Sequence, residues 1–249
     1  MIRFLIVASG SKGNATLIYS ENTLFQIDMG ISLKRVKEGL SSIKKNLKDV
    51  SAVLLTHEHS DHIGTIGTIE GRIPIFASEG TYPNPKRTLI PYKSFRLGDF
   101  IIEPIQTSHD ANNPVGFIVY QDDERLVYVT DTGYLSEENL AIMKDADYYI
   151  IESNHDLKML LSSRRPAYLK QRIHSDVGHL SNADSAFYMA SLVSNKTKGI
   201  YLAHLSEECN APEVALRTYR EAFTKEGLCF DDYHVVCAKQ WESVKGGDL

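Results

Sequence analysis

Residues 54–64 read LLTHEHSDHIG, so three histidines and an aspartate fall within six positions straight after an apolar run. A strand alternates its side chains between two faces and cannot aim His57, His59, Asp61 and His62 at one point. A turn at the end of a strand can. Burying several imidazoles together is costly unless something binds them. Imidazole and carboxylate are the usual ligands of zinc, manganese and iron. The run SAVLLT (51–56) therefore reads as a buried strand, and His62 with IGTIGTIE opens a helix-like pattern over 62–70. The cluster sits on the turn between them, and the fold has to bring that turn to a metal.

A catalytic metal draws ligands from elsewhere in the chain as well. TSHD places His109 at the end of the strand-like run 99–107, VTDTG places Asp131 after the run 125–130, and LAHLS places His204 after the run 199–203. Taken singly, each reads as an ordinary structural polar residue. Three on the same edge as the THEHSDH turn fit a shared site better.

Composition sets the frame for that site. With 249 residues, 43% of them hydrophobic, the chain can bury one sizeable core, and the expectation is a single domain over 1–249. A net charge of -5 predicts no general attraction to nucleic acid or to anionic membranes, while leaving room for a local basic groove. No apolar stretch reaches bilayer length, and the opening run is broken by Gly10, Ser11, Lys12 and Asn14. That run reads as a first strand, and the chain as cytoplasmic with no membrane partner. Cys209, Cys229 and Cys237 have no CxxC spacing and suggest neither a disulfide framework nor a thiolate metal site.

Strand-like runs occur at 3–9, 15–20, 24–28, 51–56, 73–77, 99–105, 115–120, 125–130, 148–153, 199–205 and 233–237. Helical patterns cover 32–46, 62–70, 136–145, 182–195 and 211–226, the last opening on Ala211-Pro212-Glu213. The terminal KGGDL reads as a frayed tail. Strands dominate the first half and alternate with helices in the second. That order suggests an α/β fold, two sheets face to face with helices outside, an αββα sandwich.

The series His57-His59-Asp61-His62, then His109, Asp131 and His204 in order, resembles the metallo-β-lactamase superfamily over nearly the whole chain. The resemblance implies two mixed β-sheets flanked by helices and a site for two divalent ions, manganese or zinc with iron also acceptable. Carried over by position, His57, His59 and His109 would hold the first ion. Asp61, His62 and His204 would hold the second, and Asp131 would bridge them. Two such ions about 3.5–4 Å apart can share a water and bring its pKa from about 15.7 toward about 7, making a bridging hydroxide the nucleophile. The stretch from Asp131 to His204 is too short for an inserted cap domain, since domains typically run to about 100–150 residues.

Superfamily membership leaves the substrate open. Phosphodiester cleavage expels an alkoxide, which a proton donor assists. Glu152 ends a strand and His179 stands just before a capped helix, so Glu152 orienting His179 as general acid is the functional reading. A loop carboxylate and a helix-entry residue are the plain one. GHLSNADSA is similar to a motif of tRNA 3′-processing endonucleases and of cyclic phosphodiesterases in this superfamily. ASGSKGNATLI, TDTGYL, ESNHDLKML, LKQRIHSDVGHLSN and AHLSEECN together look like the YycJ/WalJ family. That resemblance implies a 5′-to-3′ DNA exonuclease linked to DNA repair, acting on DNA ends, with Asp61 among the catalytic residues. The alternative is a small-molecule hydrolase of the same fold, either a cyclic phosphodiesterase or an acyl hydrolase of thioesterase or lactamase type.

Candidate substrate contacts are Ser11 and Asn14 in the glycine-bearing turn 9–14, His155, Arg172 and Asn182. Arg164, Arg165, Lys170 and Arg172 could line a groove for a nucleic-acid backbone or form a solvated face. The run Lys34, Arg35, Lys37, Lys44, Lys45 and Lys48 reads as a solvated helix face. Residues 154–180 are the candidate lid.

Overall fold

The computed structural model describes residues 1–247. The fold is α/β, with two mixed β-sheets and flanking helices. One seven-stranded sheet has the order β14-β1-β2-β3-β4-β5-β6, and the other β13-β12-β11-β10-β9-β8-β7. The strands of the first are β1 (Arg3–Ala8), β2 (Ala15–Tyr19), β3 (Leu24–Ile27), β4 (Val53–Leu54), β5 (Ile75–Ser78), β6 (Arg87–Leu89) and β14 (Val244–Gly246). Those of the second are β7 (Phe95–Leu97), β8 (Phe100–Gln106), β9 (Val115–Gln121), β10 (Glu124–Val129), β11 (Tyr148–Glu152), β12 (Gly199–Ala203) and β13 (His234–Cys237).

The contacts divide the chain into two compact units. The first comprises Met1–Gln106, Ala111–Arg125 and Ala238 onward, and the second comprises Thr107–Asp110 and Leu126–Cys237.

In the first unit, β1 to β3 form an antiparallel meander, and β3 to β6 then run parallel. The helix α1 (Leu33–Ser42) starts at Ser32, whose side chain accepts from Arg35 N, a cap that satisfies one of the open N–H groups of a helix start. It buries Val36, Gly39 and Leu40. Leu5, Leu17, Leu40, Val53 and Ile75 share one core cluster. The expected helix at 62–70 is instead a short α2 (Ser60–Ile63) followed by one 3₁₀ turn at Ile66–Thr68. Gly64 and Gly67 lie in that stretch, and glycine weakens helix by about 1 kcal/mol per residue. The expected strand at 51–56 shrinks to the two residues of β4. The KGGDL tail differs from expectation too. Val244–Gly246 pairs with β1, while Asp248 and Leu249 lie outside the described residues.

In the second unit, β10 to β13 are parallel. Of these four, burial is complete only for β11 and β12, while β13 is an edge strand with Cys237 alone buried. This explains the uninterrupted apolar runs of the central strands, since the middle of a parallel sheet is covered on both faces. The register sets Val129 opposite Ile151 and Glu152 opposite Ala203. The residues that follow these strands therefore emerge together at the carboxyl edge. The helices are α3 (Glu137–Met143), α4 (Leu157–Ser162), α5 (Ala167–Ile173), α6 (Asn182–Leu192) and α7 (Pro212–Lys225). The candidate lid over 154–180 thus contains α4 and α5. Asp156 caps α4 through Met159 N at 2.8 Å, and Pro166 opens α5. No described helix is long and apolar enough to cross a membrane.

Candidate metal and acid–base site

In the first unit the THEHSDH turn follows β4 and runs into α2. Its rings pack together, with centroids 4.6 Å apart for His57–His59 and 4.1 Å for His57–His62. Asp61 Oδ2 lies 3.5 Å from His62 Nε2. The turn is fixed from below. His62 Nδ1–H donates to Asp28 Oδ2 at 2.7 Å, and Asp28 Oδ1 accepts from Thr56 N at 2.9 Å. Thr56 Oγ1 bonds to both Asp28 oxygens at 3.0 Å and stands 3.0 Å from His57 Nδ1. Asp28 is completely buried, and that burial drives its pKa up against the opposing pull of His62 and Thr56. The turn also packs hard on its neighbours. A Cβ on Gly30 would stand 1.6 Å from the carbonyl oxygen of Asp61, so only glycine permits this approach.

In the second unit, Asp131, Glu152, His179 and His204 bring ligand atoms within 4.8 Å of one another. Glu152 organises them. Its Oε1 accepts from His179 Nδ1 and from His204 Nδ1, both at 2.9 Å. Its Oε2 accepts from Thr132 N at 3.0 Å and Leu180 N at 3.1 Å. Burial alone would raise this carboxyl, but the two imidazoles hold its pKa down at about 2. His109 Nδ1–H donates to the Gly178 carbonyl at 3.0 Å, and its Nε2 lies 3.9 Å from Asp131 Oδ1. Burial pushes the His109 pKa down, with Asp131 opposing. Of these side chains His179 alone keeps a useful exposure, 16%, against 3% or less for Asp131, Glu152, His109 and His204. Two residues on from His179, Ser181 caps α6 by accepting from Asp184 N.

The donor chemistry of each unit fits a divalent cation. His57, His62, His109 and His204 each spend Nδ1 on a hydroxyl, carboxylate or carbonyl, which sets the tautomer and assigns coordination to Nε2. Asp28, Asp131 and His204 also have positive φ, at 60°, 57° and 54°. Such conformations cost non-glycine residues about 1–3 kcal/mol and gather at functional sites.

Several expected substrate contacts are placed differently. Asn14 is 1% exposed and works inside the turn, taking Gly10 N on its Oδ1 at 2.8 Å and lying 3.1 Å from His62 Nε2. Asn182 is 1% exposed, with its amide spent on Ser153 and Asn210. His155 is fully buried, and neither ring nitrogen has a hydrogen-bond partner among the described residues. All three are buried. Ser11 is exposed. The basic stretch is largely tied to its own unit. Arg172 Nε meets Asp110 at 2.5 Å, Arg165 meets Glu208 at 2.9 Å, and Lys170 Nζ donates to the Leu161 and Ser163 carbonyls.

Sequence reasoning missed Asp28. Its signal was present, because LFQID is an apolar run ending in a lone carboxylate, the same pattern that marks Asp131.

Residues 25–204 match the beta-lactamase superfamily domain. The chain belongs to the metallo-β-lactamase superfamily. It is 34% identical over 240 residues to the exodeoxyribonuclease YycJ of Bacillus anthracis, covering 91% of each chain. It is 38% identical over 231 residues to the exodeoxyribonuclease WalJ of Streptococcus pneumoniae serotype 2, covering 87% of this chain and 86% of that one. Its fold is similar to the metallo-β-lactamase fold protein YhfI from Bacillus subtilis, with a TM-score of 0.73 at 17% identity, covering 98% and 99% of the two chains.

Proposed function

We propose that the chain is a two-metal phosphodiester hydrolase acting on DNA ends, a 5′-to-3′ exodeoxyribonuclease of one catalytic domain without an inserted cap. The observation that carries this reading is the pair of 2.9 Å bonds from Glu152 Oε1 to His179 and His204. One carboxylate thereby ties a candidate metal ligand to a partly exposed imidazole able to move a proton. The substrate class follows the curated relatives, whose names give exodeoxyribonuclease activity.

In this reading His57, His59 and His109 hold one ion, Asp61, His62 and His204 hold the other, and Asp131 is shared. When bound, manganese or zinc supplies an activated water and neutralises phosphate charge. Glu152 keeps Nδ1 of His179 protonated, so Nε2 is the atom that hands a proton to the leaving alkoxide. Asp28 and Glu152 hold the ligand imidazoles in one tautomer. Ser11 and the Arg172 region meet the strand, with Arg172 released from Asp110 on binding.

The test reloads metal-free protein with manganese or zinc and supplies 5′- and 3′-labelled single- and double-stranded DNA. Mononucleotides released from the 5′ end, lost in Asp131→Ala and cut at least a hundredfold in His179→Ala, are the expected result. A p-nitrophenyl phosphodiester, whose leaving group needs little protonation, should be much less sensitive to His179→Ala. Thioester turnover that survives His179→Ala, without DNA cleavage, would replace the proposal with an acyl hydrolase.

A further inference from the structure

The first unit carries a concavity unconnected with the histidine turn. It has a volume of about 500 Å³ and is lined by Lys37, Lys48, Arg72, Asn46, Leu47 and Ile73 among others. Its place is fixed by the sheet. Leu47 and Lys48 lie before β4, and Ile73 lies before β5, its parallel neighbour. The His57–His62 turn follows the opposite end of β4.

Three cations face this cavity and no acid lines it. Among the described residues, Lys37, Lys48 and Arg72 form no ion pair. The acids nearest in sequence are committed elsewhere. Glu38 lies 3.9 Å from Lys34, Asp49 Oδ2 accepts from Asn46 N and Nδ2 at 2.7 Å, and Glu70 Oε1 accepts from Tyr82 at 2.6 Å. Leu47 and Ile73 give the cavity an apolar wall; Ile73 belongs to the packed core of this unit and Leu47 packs against it. Uncompensated positive charge around an apolar wall is unusual in a chain of net charge -5. Small-molecule sites typically have volumes of about 300–1,000 Å³, combining an apolar lining with a few placed polar groups.

We infer that this cavity is a second, non-catalytic site for a nucleotide phosphate, with phosphate between Lys37, Lys48 and Arg72 and the sugar or base against Leu47 and Ile73. Arginine grips phosphate oxygens in a fork, and lysine adds point charge. The phosphate can come from a free nucleotide or from a strand held away from the catalytic turn. The inference stands on charge and shape and does not require the nuclease reading.

The experiment is photo-crosslinking of the full-length, metal-loaded protein at physiological salt. The two probes are an azido-deoxynucleoside monophosphate and a 5′-phosphorylated tetranucleotide bearing the same base, with peptide mapping and affinity by competition. Crosslinks on peptides containing Leu47 or Ile73 are expected. Affinity there should weaken at least tenfold in Lys37→Glu/Arg72→Glu. The equal charge change Lys34→Glu/Lys86→Glu, at exposed positions outside the cavity, should change it less than twofold. Labelling by the monophosphate identifies a nucleotide site, and labelling by the tetranucleotide alone identifies a strand site. Crosslinks confined to other peptides, or equal weakening in both double variants, overturn the inference. Hydrolysis in the Lys37→Glu/Arg72→Glu protein is a separate readout, so loss of this site and failure of the catalytic proposal are distinguishable.

Discussion

Each unit buries one carboxylate beneath its histidines, and the two are tuned in opposite directions. Asp28 meets one imidazole and the Thr56 amide and hydroxyl, and burial leaves its pKa raised. Glu152 meets two imidazoles and two backbone N–H groups, and its pKa is held at about 2. Burial is complete for both. The number and kind of donors therefore decide how firmly a buried carboxyl keeps its charge. Asp28 is a tautomer lock for one ligand. In the proposed mechanism Glu152 is an anion that serves His204 and His179 at once.

The sharpest break in this comparison comes from Glu152→Gln. An amide oxygen cannot keep both imidazoles in the same state, so kcat/KM should fall by about a thousandfold or more, the combined loss of an acid–base group and a ligand orienter. Saturating metal should not restore it. Asp28→Asn should cost about 10–100-fold in metal affinity, with kcat largely recovered at high metal. Metal titration of both variants, read by bound metal and by turnover, checks the difference. Equal rescue of both would erase the distinction drawn here.

His155 sharpens the comparison from the other side, as a buried imidazole that no carboxylate contacts. Burial, with His174 adding to it, pushes its pKa from 6.5 down to about 4. Between those values the unfolded chain binds a proton that the folded chain refuses. Stability should therefore fall as pH drops from 6.5 to 4, by up to about 1.4 kcal/mol per pH unit. Denaturant melts of wild type and His155→Phe across this range test it, and the variant should lose that slope. Glu152 has the opposite linkage. Its stabilisation is present above 4.5 and lost as pH falls from 4.5 to about 2. This is the smallest effect to detect, because other carboxylates also protonate there. Glu152→Gln should flatten that lower window and leave the upper one intact.

The parts of the molecule that could be read in advance share a physical cause. The THEHSDH turn is contiguous, so its chemistry is visible within one window of sequence. His109, Asp131 and His204 are visible because a buried parallel strand is an apolar run, and a polar residue at its end stands out. Asp28 ends such a run too, but it binds its own chain, and nothing in the sequence separates an orienting carboxylate from a turn residue. β6 and β7 are three residues each and mostly unburied, too short to show a period. The helices α4 and α5 are six and seven residues long, and they were hidden by the same basic residues that suggested a groove. Sequence gives the presence of those cations but not whether Arg165 and Arg172 have partners.

The left-handed backbone at Asp28, Asp131 and His204 has a consequence for how such a chain can change under selection. Glycine is the residue best suited to that conformation. At each position a substitution to glycine would relax the backbone and remove the functional side chain in one step. Relief of strain favours glycine at these three positions, while loss of the buried hydrogen bonds of Asp28 and His204, and loss of turnover, oppose it. A library sorted under both pressures should keep aspartate and histidine there most firmly when turnover is scored, which makes these positions a record of what the chain was selected to do.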